Sequence, residues 1–456
     1  MDADEVVHIS SRLFVGPGCH THRVQLRYKF RLYPTPGQQL ALARAFGCAR
    51  VVFNDALRAR IDAHEAGLPF PTDGQLSRRI ITEAKKTPER AWLCEVSSVV
   101  LQQALADLNA GYRNFFASLN GTRKGRKFAP PRFRSRKDNR QSIRFTRNAG
   151  FKICDGGKLS LPKIGKVEIK LSRELPTEPS SMTIIKDASG RYFASFVVQH
   201  ADERLPEVES EVGIDLGLTA FAVLSDGTVV ENPRLLRRAE CRIARAQREV
   251  ARKQKGSNNR RKAVRKVARL HARVADARRD FHHQTSTSII RDNQAVYMEN
   301  LAVNGLARTR LAKSVHDAGW SAFASMLEYK AIRYGRTFHR IDRWFPSTRM
   351  CSTCGTVGER KPLNVRAWTC GCGSVHDRDH NAAKNILAAG RAERLNACGA
   401  RVRPAAMSAQ RGEAGTHRGS RPAAVENPDP RVEEDVKTTF SGRARKNKKL
   451  GRRVAL

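Results

Sequence analysis

The sequence predicts an α/β protein that also contains a small antiparallel β-barrel and a helical insert. Two apolar segments that end in an acid, VGIDLG at 212–217 and VYMEN at 296–300, indicate buried strands of an α/β sheet. Short alternating segments between residues 151 and 200, separated by glycine turns, predict the barrel. Leucine and aromatic residues that recur every three or four positions over 95–119 predict a helix with one buried face.

Local patterns predict the remaining elements. Residues 24–33 alternate between polar and apolar side chains, which predicts a strand. The PTPGQ stretch at 34–38 ends that strand, and its proline and threonine favour the entry to a helix. Later in the chain, the same patterns predict strands at 294–301 and 337–342, a helix at 318–336, and a helix that begins within 376–390.

Basic residues dominate the composition. The 456-residue chain has 84 Lys and Arg against 44 Asp and Glu, a formal net charge of +40. A compact body with this charge repels itself unless a polyanion offsets it, which argues against an ordinary metabolic enzyme and favours nucleic acid as the partner. The hydrophobic fraction of 40% is sufficient for buried cores, so the chain is not simply a disordered basic tail.

Two segments concentrate this charge. Residues 234–279 predict a helical hairpin that turns near 256–259 and carries 18 Lys and Arg against 3 Asp and Glu. Residues 121–147 are broken by glycine and proline, densely basic, and interleaved with phenylalanines suited to stacking on bases. For each residue the alternative is a solvated charge without a ligand. The candidate nucleic-acid contacts in these segments are Lys124, Arg126, Lys127, Arg132, Arg134, Arg252, Lys253, Arg260, Arg261 and Lys262.

Neither a membrane span nor a secretory signal is predicted. No apolar run approaches the ~20 residues that a transmembrane helix needs. The acidic start MDADEVV lacks a signal-peptide pattern, so we expect a cytoplasmic protein without a membrane partner. We expect a loose leader at 1–22. We also expect a disordered basic tail at 391–456, because that segment has no clear period and is rich in Arg, Ala, Gly and Pro.

Several acids lie at or beyond the ends of predicted strands. Asp215 ends the first apolar strand and Glu299 the second, while Asp377 and Asp379 flank Arg378 just before a helix. A lone Asp215 could equally be a turn residue. Three carboxylates brought together cannot all remain ionised without cations, so the group predicts bound Mg²⁺. Two such ions would suit phosphodiester hydrolysis, with one activating water and the other stabilising the leaving oxygen.

Four of the ten cysteines are clustered. Cys351-x-x-Cys354 and Cys370-x-Cys372 have nearly the spacing of a four-cysteine zinc ribbon, in which four thiolates complete the tetrahedral shell of a structural Zn²⁺. The second pair is one residue shorter than usual, which predicts a tighter knuckle. His376 is an alternative ligand, and unliganded thiols are the other interpretation.

Several motifs occur in a characteristic order. They are YKFRLYPTPGQQLALARAFGCARVVFNDAL, GIDLG, YMENL, FPSTRMCSTCG and WTCGCGSVHDRDHNAAKNIL, with the basic hairpin between the second and the third. In this combination the chain resembles, over roughly residues 24–390, the TnpB (OrfB) proteins of bacterial insertion sequences. Those proteins are similar in turn to the type V CRISPR effector nucleases, and their older label is transposase.

The resemblance implies a RuvC-like (RNase H-type) nuclease domain interrupted by the zinc ribbon. A wedge-like β-barrel and a helical recognition insert would precede it. The implied segments are the leader at 1–22, a wedge strand and the start of the insert at 23–60, the insert at 61–120, the barrel at 121–205, the nuclease with its hairpin at 206–345, the ribbon at 346–375, the last nuclease segment at 376–390 and the tail.

The same resemblance implies an RNA-guided DNA endonuclease of a transposable element. It would bind a noncoding guide RNA as a monomer, pair that RNA with one DNA strand, and cut double-stranded DNA beside a short flanking motif in the bacterial nucleoid. By motif position, Asp215, Glu299 and Asp379 would be the catalytic acids that bind Mg²⁺, with Asp377 and Arg378 in support. The cofactors would be Mg²⁺, structural Zn²⁺ and the guide RNA.

Three other functions stay open at this point. A guided DNA-binding repressor that does not cut would be expected to lack one or more of the three acids, all of which are present. A transposase acting directly on DNA ends would bind them tightly without RNA. A non-specific RNA-binding zinc-ribbon protein would need no carboxylates at the strand ends, and its affinity would fall steeply with salt.

Overall fold

A computed structural model gives the architecture of most of the chain. It describes residues 4–5, 23–123, 125, 127–138, 140–201, 204–362 and 364–397, all within the unit Met1–Cys398. Lys124 and Arg126, two of the predicted nucleic-acid contacts, lie outside the described residues. Most of the predicted leader and the predicted tail beyond residue 397 also lie outside them.

Strands and helices are interspersed along this part of the chain. The strands are β1 (Asp4–Glu5), β2 (Arg23–Tyr33), β3 (Gln141–Thr146), β4 (Lys152–Cys154), β5 (Lys158–Leu161), β6 (Gly165–Lys170), β7 (Ser181–Lys186), β8 (Tyr192–Ala201), β9 (Glu211–Leu216), β10 (Ala220–Leu224), β11 (Val229–Glu231), β12 (Ala295–Glu299), β13 (Thr337–Ile341), β14 (Ala367–Thr369) and β15 (Val375–Asp377). The α-helices are α1 (Pro36–Glu65), α2 (Asp73–Ser77), α3 (Ser98–Leu119), α4 (Leu235–Ala251), α5 (Asn258–Asp292), α6 (Val303–Leu306), α7 (Ala312–Ala318), α8 (Trp320–Tyr334) and α9 (Arg378–Ala397). A π-helix spans Arg78–Glu83, and 3₁₀ helices span Ala84–Lys86, Ala91–Glu95 and Arg147–Ala149. Of the helices described, none combines the length and the apolar character needed to span a membrane.

An antiparallel sheet occupies the N-terminal half. Its hydrogen-bonded order is β3-β7-β8-β2-β6-β5-β4, with β1 added to β2. The long strand β2 joins the two halves of the sheet, because it pairs with β8 over 23–32 and with β6 at its end. The predicted barrel is an open sheet among the strands that the structure describes, since β3 and β4 each pair with one neighbour only. Part of the predicted loose leader is a strand, because β1 pairs with Lys29 and Tyr28.

Two long helices pack against this sheet. The first, α1, begins after Thr35, whose hydroxyl accepts a hydrogen bond from Gln38 N while the Gln38 side chain accepts one from the Thr35 N–H. This capping box satisfies two backbone donors that a helix start leaves unpaired. α1, α3 and the sheet share one apolar cluster, which includes Leu42, Leu101 and Phe145. Both helices match those that the sequence predicts.

A mixed sheet with the order β11-β10-β9-β12-β13 organises the C-terminal half. Strands β9, β12 and β13 are parallel, whereas β10 and β11 are antiparallel additions. Successive side chains of a strand point to opposite faces. In β12, Val296 and Met298 join the apolar cluster that contains α5 and α8, whereas Ala295 and Tyr297 join the cluster that contains α9. Helices therefore cover both faces, which confirms the predicted α/β architecture.

Helices α4 and α5 form the predicted basic hairpin. Ile243 and Val274 are buried in a small apolar cluster between the two helices. The hairpin exceeds the predicted bounds 234–279, because α5 continues into the core of the mixed sheet, where Ile289 and Ile290 are buried. The run of basic residues predicts the exposed part of α5. The C-terminal part of α5 is buried against the mixed sheet, and the charge pattern does not extend to it.

Helix α9 lies unusually close to the mixed sheet. A Cβ atom at Gly390 would lie 2.1 Å from the ring of Tyr297, so a larger residue here would force the helix away from β12. The helix also includes 391–397, which we predicted to be the start of the disordered tail. In this extension, Arg391 and Arg394 form ion pairs with Glu211 of β9. A periodicity pattern cannot predict these contacts, because Glu211 lies far away in the sequence.

Candidate active site and metal centre

Parallel pairing of β9 and β12 brings Asp215 and Glu299 to the same edge of the mixed sheet. Ile214 pairs with Met298, so the two acids follow at adjacent positions near the carboxyl ends of neighbouring strands. Helix α9 packs across β9 and begins at this edge, which places Asp379 in its first turn. The structure therefore brings the three predicted catalytic acids together.

Hydrogen bonds hold the start of α9 in place. The Asp377 carboxylate accepts hydrogen bonds from the backbone N–H groups of Asp379 at 3.1 Å and His380 at 2.9 Å, so Asp377 is the N-cap of the helix. Arg378 donates a hydrogen bond of 2.9 Å to the carbonyl oxygen of Pro362. Of the two predicted supporting residues, Asp377 orients the helix and Arg378 ties it to the preceding cysteine-containing segment.

The site concentrates negative charge where solvation is poor. Burial, and then repulsion from Glu299 and Asp379, raise the pKa of Asp215 to about 8 against the opposing effect of Arg378 and Arg366. Burial also raises the pKa of Glu299 above its ordinary value. Without a cation, Asp215 therefore holds its proton near neutral pH, and a bound cation would favour its ionised form.

The acids do not form a compact group of metal-ligating atoms as the cysteines do. In the part of the chain that the structure describes, only the four cysteines bring three or more metal-ligating atoms within 4.8 Å of one another. Mg²⁺ is commonly bound through one or two carboxylates while it keeps several waters, so binding of this ion would not require all three acids to form such a group.

Two residues that the sequence patterns did not single out hold the acids. Ser347 is 3% exposed and donates a hydrogen bond to Glu299 Oε1, which lowers the pKa of that carboxyl. Its carbonyl oxygen accepts a hydrogen bond of 2.8 Å from Asn385. Arg366 Nη1 lies 2.7 Å from Asp379 Oδ2. The signal that could have found Ser347 and Arg366 is their position next to the two cysteine motifs.

The four predicted zinc ligands form one cluster. All four Sγ atoms of Cys351, Cys354, Cys370 and Cys372 lie within 4.8 Å of one another. Two of the Sγ–Sγ separations are 3.8 Å, for Cys351 and Cys372, and 3.6 Å, for Cys354 and Cys370. A tetrahedron with Zn–S bonds of about 2.3 Å has edges of about 3.8 Å, so these thiols fit Zn²⁺.

The short second knuckle is accommodated by a tight hairpin turn. Cys370 N donates to the Ser374 carbonyl oxygen at 2.9 Å, and Gly373 adopts a φ of +85°. His376, the alternative ligand, is not part of the four-atom cluster. Its Nε2 lies 3.0 Å from Cys351 Sγ, a hydrogen-bonding distance. The geometry therefore favours four cysteine ligands, with His376 as a partner of one of them.

The predicted nucleic-acid contacts fall into two groups. Arg134 lies 3.8 Å over the ring of Phe53 and donates to Asp107, while Arg260 donates to the Val250 carbonyl oxygen at the end of α4. Internal contacts thus engage these two guanidinium groups. The exposed members are Lys127, Arg132, Arg252, Lys253, Arg261 and Lys262.

A basic cleft that the sequence did not predict lies between the antiparallel sheet and α5. Its volume is about 760 Å³, and five Lys or Arg side chains line it against two Asp. Burial is the main cause that lowers the pKa of Lys29 to about 8; Asp276 and Asp187 oppose this shift, whereas Arg191 and Arg140 add to it. Because the lining comes from distant segments, no local charge run marks it. The basic residues are Arg27, Lys29, Arg140, Arg191 and Arg279.

Three family models match successive parts of the chain. The OrfB_IS605 model, described as "Probable transposase", matches residues 195–310. A "Cas12f1-like, TNB domain" model matches 320–386, which contains the four cysteines. A "Helix-turn-helix domain" model of the same OrfB_IS605 group matches 24–68. In this structure the last range folds as strand β2 followed by the single long helix α1.

Curated relatives extend over most of the chain. A "Putative RNA-guided DNA endonuclease" of Streptomyces pristinaespiralis is 47% identical over 394 residues, which cover 86% of this chain and 95% of the relative. "Putative RNA-guided DNA endonuclease InsQ" of Escherichia coli K12 is 32% identical, covering 82% and 94% of the two chains. "Putative RNA-guided DNA endonuclease Rv2885c" of Mycobacterium tuberculosis is 29% identical, covering 79% and 85%.

Two solved structures are similar at low sequence identity. A Cas12f1–sgRNA–target DNA complex determined by cryo-EM aligns with a TM-score of 0.49 and 12% identity, over 77% of this chain and 83% of that one. The mini-RNA-guided endonuclease CRISPR-Cas_phi3 aligns with a TM-score of 0.45 and 9% identity, over 80% and 92%.

Proposed function

We propose, because the chain belongs to the OrfB (TnpB) family, that it is an RNA-guided DNA endonuclease of a transposable element. In this proposal it cuts double-stranded DNA beside a short flanking motif by metal-dependent hydrolysis. The observation that carries the proposal is the meeting of Asp215, Glu299 and Asp379 at one sheet edge in a chain with a net charge of +40. A binding protein that never cuts would not need this cluster of like charges.

Some residues of the site would bind metal, and others would orient the metal ligands. Asp215, Glu299 and Asp379 would hold Mg²⁺ through their carboxylate oxygens. When bound, such ions activate water and stabilise the leaving oxygen of a phosphodiester. Ser347 opposes the effect of burial and so keeps more of Glu299 ionised. Asp377 caps α9 and thereby directs Asp379 toward the other two acids.

We further propose that the mixed sheet is a RuvC-like (RNase H-type) nuclease core. Three antiparallel strands continued by two parallel ones, with acids near the carboxyl ends of β9 and β12, support this proposal. The other domain boundaries implied by the resemblance remain proposals, but the last nuclease segment would extend to residue 397 as helix α9. The cysteine cluster would be a structural zinc site.

The basic cleft is the proposed site for the guide RNA backbone. Burial is the main cause that lowers the pKa of both Arg27 and Lys29, and Arg140 adds to the shift. Phosphate groups in the cleft would favour the charged forms of these side chains. One chain would bind one guide RNA, and the complex would act on DNA in the bacterial cytoplasm.

The first test is to express the chain with its flanking element DNA, purify it at high salt and sequence the RNA that copurifies. One dominant RNA, with a constant scaffold and an end that varies with the neighbouring DNA, is the expected result. A random mixture of ribosomal and messenger fragments would instead favour non-specific RNA binding. A protein that binds element ends tightly without RNA would favour direct transposition.

The second test uses the identified guide and a matching DNA duplex in Mg²⁺. Asp215→Ala should abolish cutting and leave RNA affinity unchanged, because Asp215 lies in the acid cluster and outside the cleft. Asp226→Ala is the matched control. This aspartate lies in the turn between β10 and β11, where its carboxylate accepts a hydrogen bond from Thr228 N. If Asp215→Ala cuts DNA as fast as the unchanged protein, Asp215 is not a catalytic residue. RNA-dependent DNA binding without cutting by the unchanged protein would favour the repressor.

A further inference from the structure

Arg366, in the cysteine-containing segment, binds one of the active-site acids directly. Its Nη1 lies 3.0 Å from Asp379 Oδ1 and 2.7 Å from Asp379 Oδ2, so one guanidinium nitrogen engages both carboxylate oxygens. Its Nη2 donates a hydrogen bond of 3.0 Å to Thr219 Oγ1, in the turn that follows β9. The guanidinium therefore bridges α9 and the loop next to Asp215.

The backbone at Arg366 is fixed as firmly as its side chain. In the β14–β15 hairpin, Ala367 pairs with Asp377, and Arg378 N donates to the Arg366 carbonyl oxygen at 2.7 Å. The turn of the same hairpin carries Cys370 and the cysteine two residues later. One end of this two-stranded hairpin therefore holds two of the four clustered thiols, and Arg366 at the other end contacts Asp379.

We propose that Arg366 is the protein's own counter-cation for the acid cluster, and that it must release Asp379 when a divalent metal binds there. The proposal rests on the proposed metal-dependent nuclease function. Before the metal arrives, Arg366 would then balance the charge of Asp379 and tie it to the loop next to Asp215. Mg²⁺ binds a carboxylate oxygen at a distance of about 2.0–2.1 Å. At that distance the ion would repel a guanidinium group that contacts the same carboxylate.

The alternative is a clamp that persists when metal is bound. In that case Arg366 would only orient Asp379, and its loss would weaken metal binding. The two roles therefore predict opposite changes in metal affinity when Arg366 is replaced. Metal affinity can distinguish them, whereas both roles predict a loss of activity.

The experiment titrates the full-length chain, freed of nucleic acid, with Mn²⁺ in a calorimeter. Asp215→Ala supplies the blank for Mn²⁺ bound elsewhere. Arg366→Met keeps an unbranched side chain and removes the charge, and we expect it to bind Mn²⁺ about tenfold more tightly than the unchanged chain. Arg360→Met, an exposed arginine of the same segment, is the matched control and should leave the affinity unchanged.

A second variant covers the case in which Arg366→Met fails to fold, which zinc content and thermal melting would reveal. Thr219→Val is nearly isosteric and removes only the Nη2 anchor, so it should tighten Mn²⁺ binding by a smaller factor. Equal or weaker binding by the folded Arg366 variant, or by Thr219→Val if the first is unfolded, overturns the proposal. If the unchanged chain gives the same titration as Asp215→Ala, the metal-dependent function itself fails.

Discussion

Gly213 of β9 lies directly against the backbone of α9 at Ala383. A Cβ atom at Gly213 would lie 2.2 Å from the Ala383 carbonyl oxygen, a distance that real Cβ contacts do not reach. The helix can therefore cross β9 only because this position has no side chain. Since Asp215 lies two residues further along β9 and Asp379 lies at the start of α9, this contact sets the separation of two of the acids.

Gly213→Ala should displace α9 and destabilise the protein. The cost of such overpacking is typically about 1–3 kcal/mol, and cutting should fall with it, because Asp379 moves with the helix. Urea unfolding and a cleavage assay give the two readouts. Gly37→Ala is the matched control, since no atom lies within 4 Å of its added Cβ, and it should leave both quantities nearly unchanged. Equal stability of the two variants would mean that α9 does not depend on this approach.

The raised pKa of Asp215 makes the stability of the metal-free protein depend on pH. The folded state holds a proton up to a pKa of about 8, whereas the unfolded chain loses it near its ordinary value of 3.8. The free energy of unfolding should therefore fall as pH rises from about 4 to about 8. Asp215→Asn cannot lose this proton, so it should flatten that part of the profile and be the more stable protein at pH 8.5. Urea unfolding at pH 5 and 8.5 in magnesium-free buffer tests this, and parallel profiles would contradict it.

Ser347→Ala should shift the pH dependence of cutting. The Ser347 hydroxyl lowers the pKa of Glu299 against the effect of burial, so its removal raises that pKa further. Metal binding needs the ionised carboxylate, so the acidic limb of the pH–rate profile should move to higher pH. Ser325→Ala removes an exposed hydroxyl that donates a hydrogen bond to the Ser321 carbonyl oxygen within α8, and it is the control. An unshifted limb would show that Ser347 does not act through Glu299.

Zinc content should follow the four clustered thiols. The unchanged chain should contain one Zn²⁺, and Cys354→Ser should lose it and melt at a lower temperature, because a structural site contributes directly to folding. Cys241→Ser, an exposed cysteine of α4, should keep the metal. His376→Ala should also keep it, since the four thiols already complete a tetrahedron. Elemental analysis measures the zinc content of each variant, and thermal melting measures its stability. Loss of zinc in His376→Ala would show that His376 is a ligand.

Guide RNA affinity should weaken above neutral pH through Lys29. With its pKa lowered to about 8, this lysine loses its charge between pH 7 and 9, where an ordinary lysine remains protonated. The dissociation constant should therefore rise over that range at constant salt. Lys29→Arg keeps the charge and should remove most of the rise, whereas Lys158→Arg on β5, away from the cleft, should not. A pH-independent affinity of the unchanged chain would exclude Lys29 from the RNA site.

The sequence by itself determined which residues are the candidates for the two centres. The motifs around Asp215, Glu299 and Asp379, and the spacing of the cysteines, point to carboxylate-bound Mg²⁺ and thiolate-bound Zn²⁺ because the metals' ligand preferences restrict the residue types. Most long helices and strands also followed from local periodicity and capping, as at Thr35. These features are encoded within a few turns or residues of chain, so a pattern can show them.

Only the tertiary structure decided how distant segments meet. Ser347 and Arg366 acquire their roles because the folded chain places them against Glu299 and Asp379. The basic cleft is assembled from β2, β7, β8 and α5, and the extension of α9 past Gly390 forms ion pairs with Glu211 of β9. Burial and long-range Coulombic interactions, unlike periodicity, depend on separation in space, and for these residues that separation is unrelated to their separation along the chain.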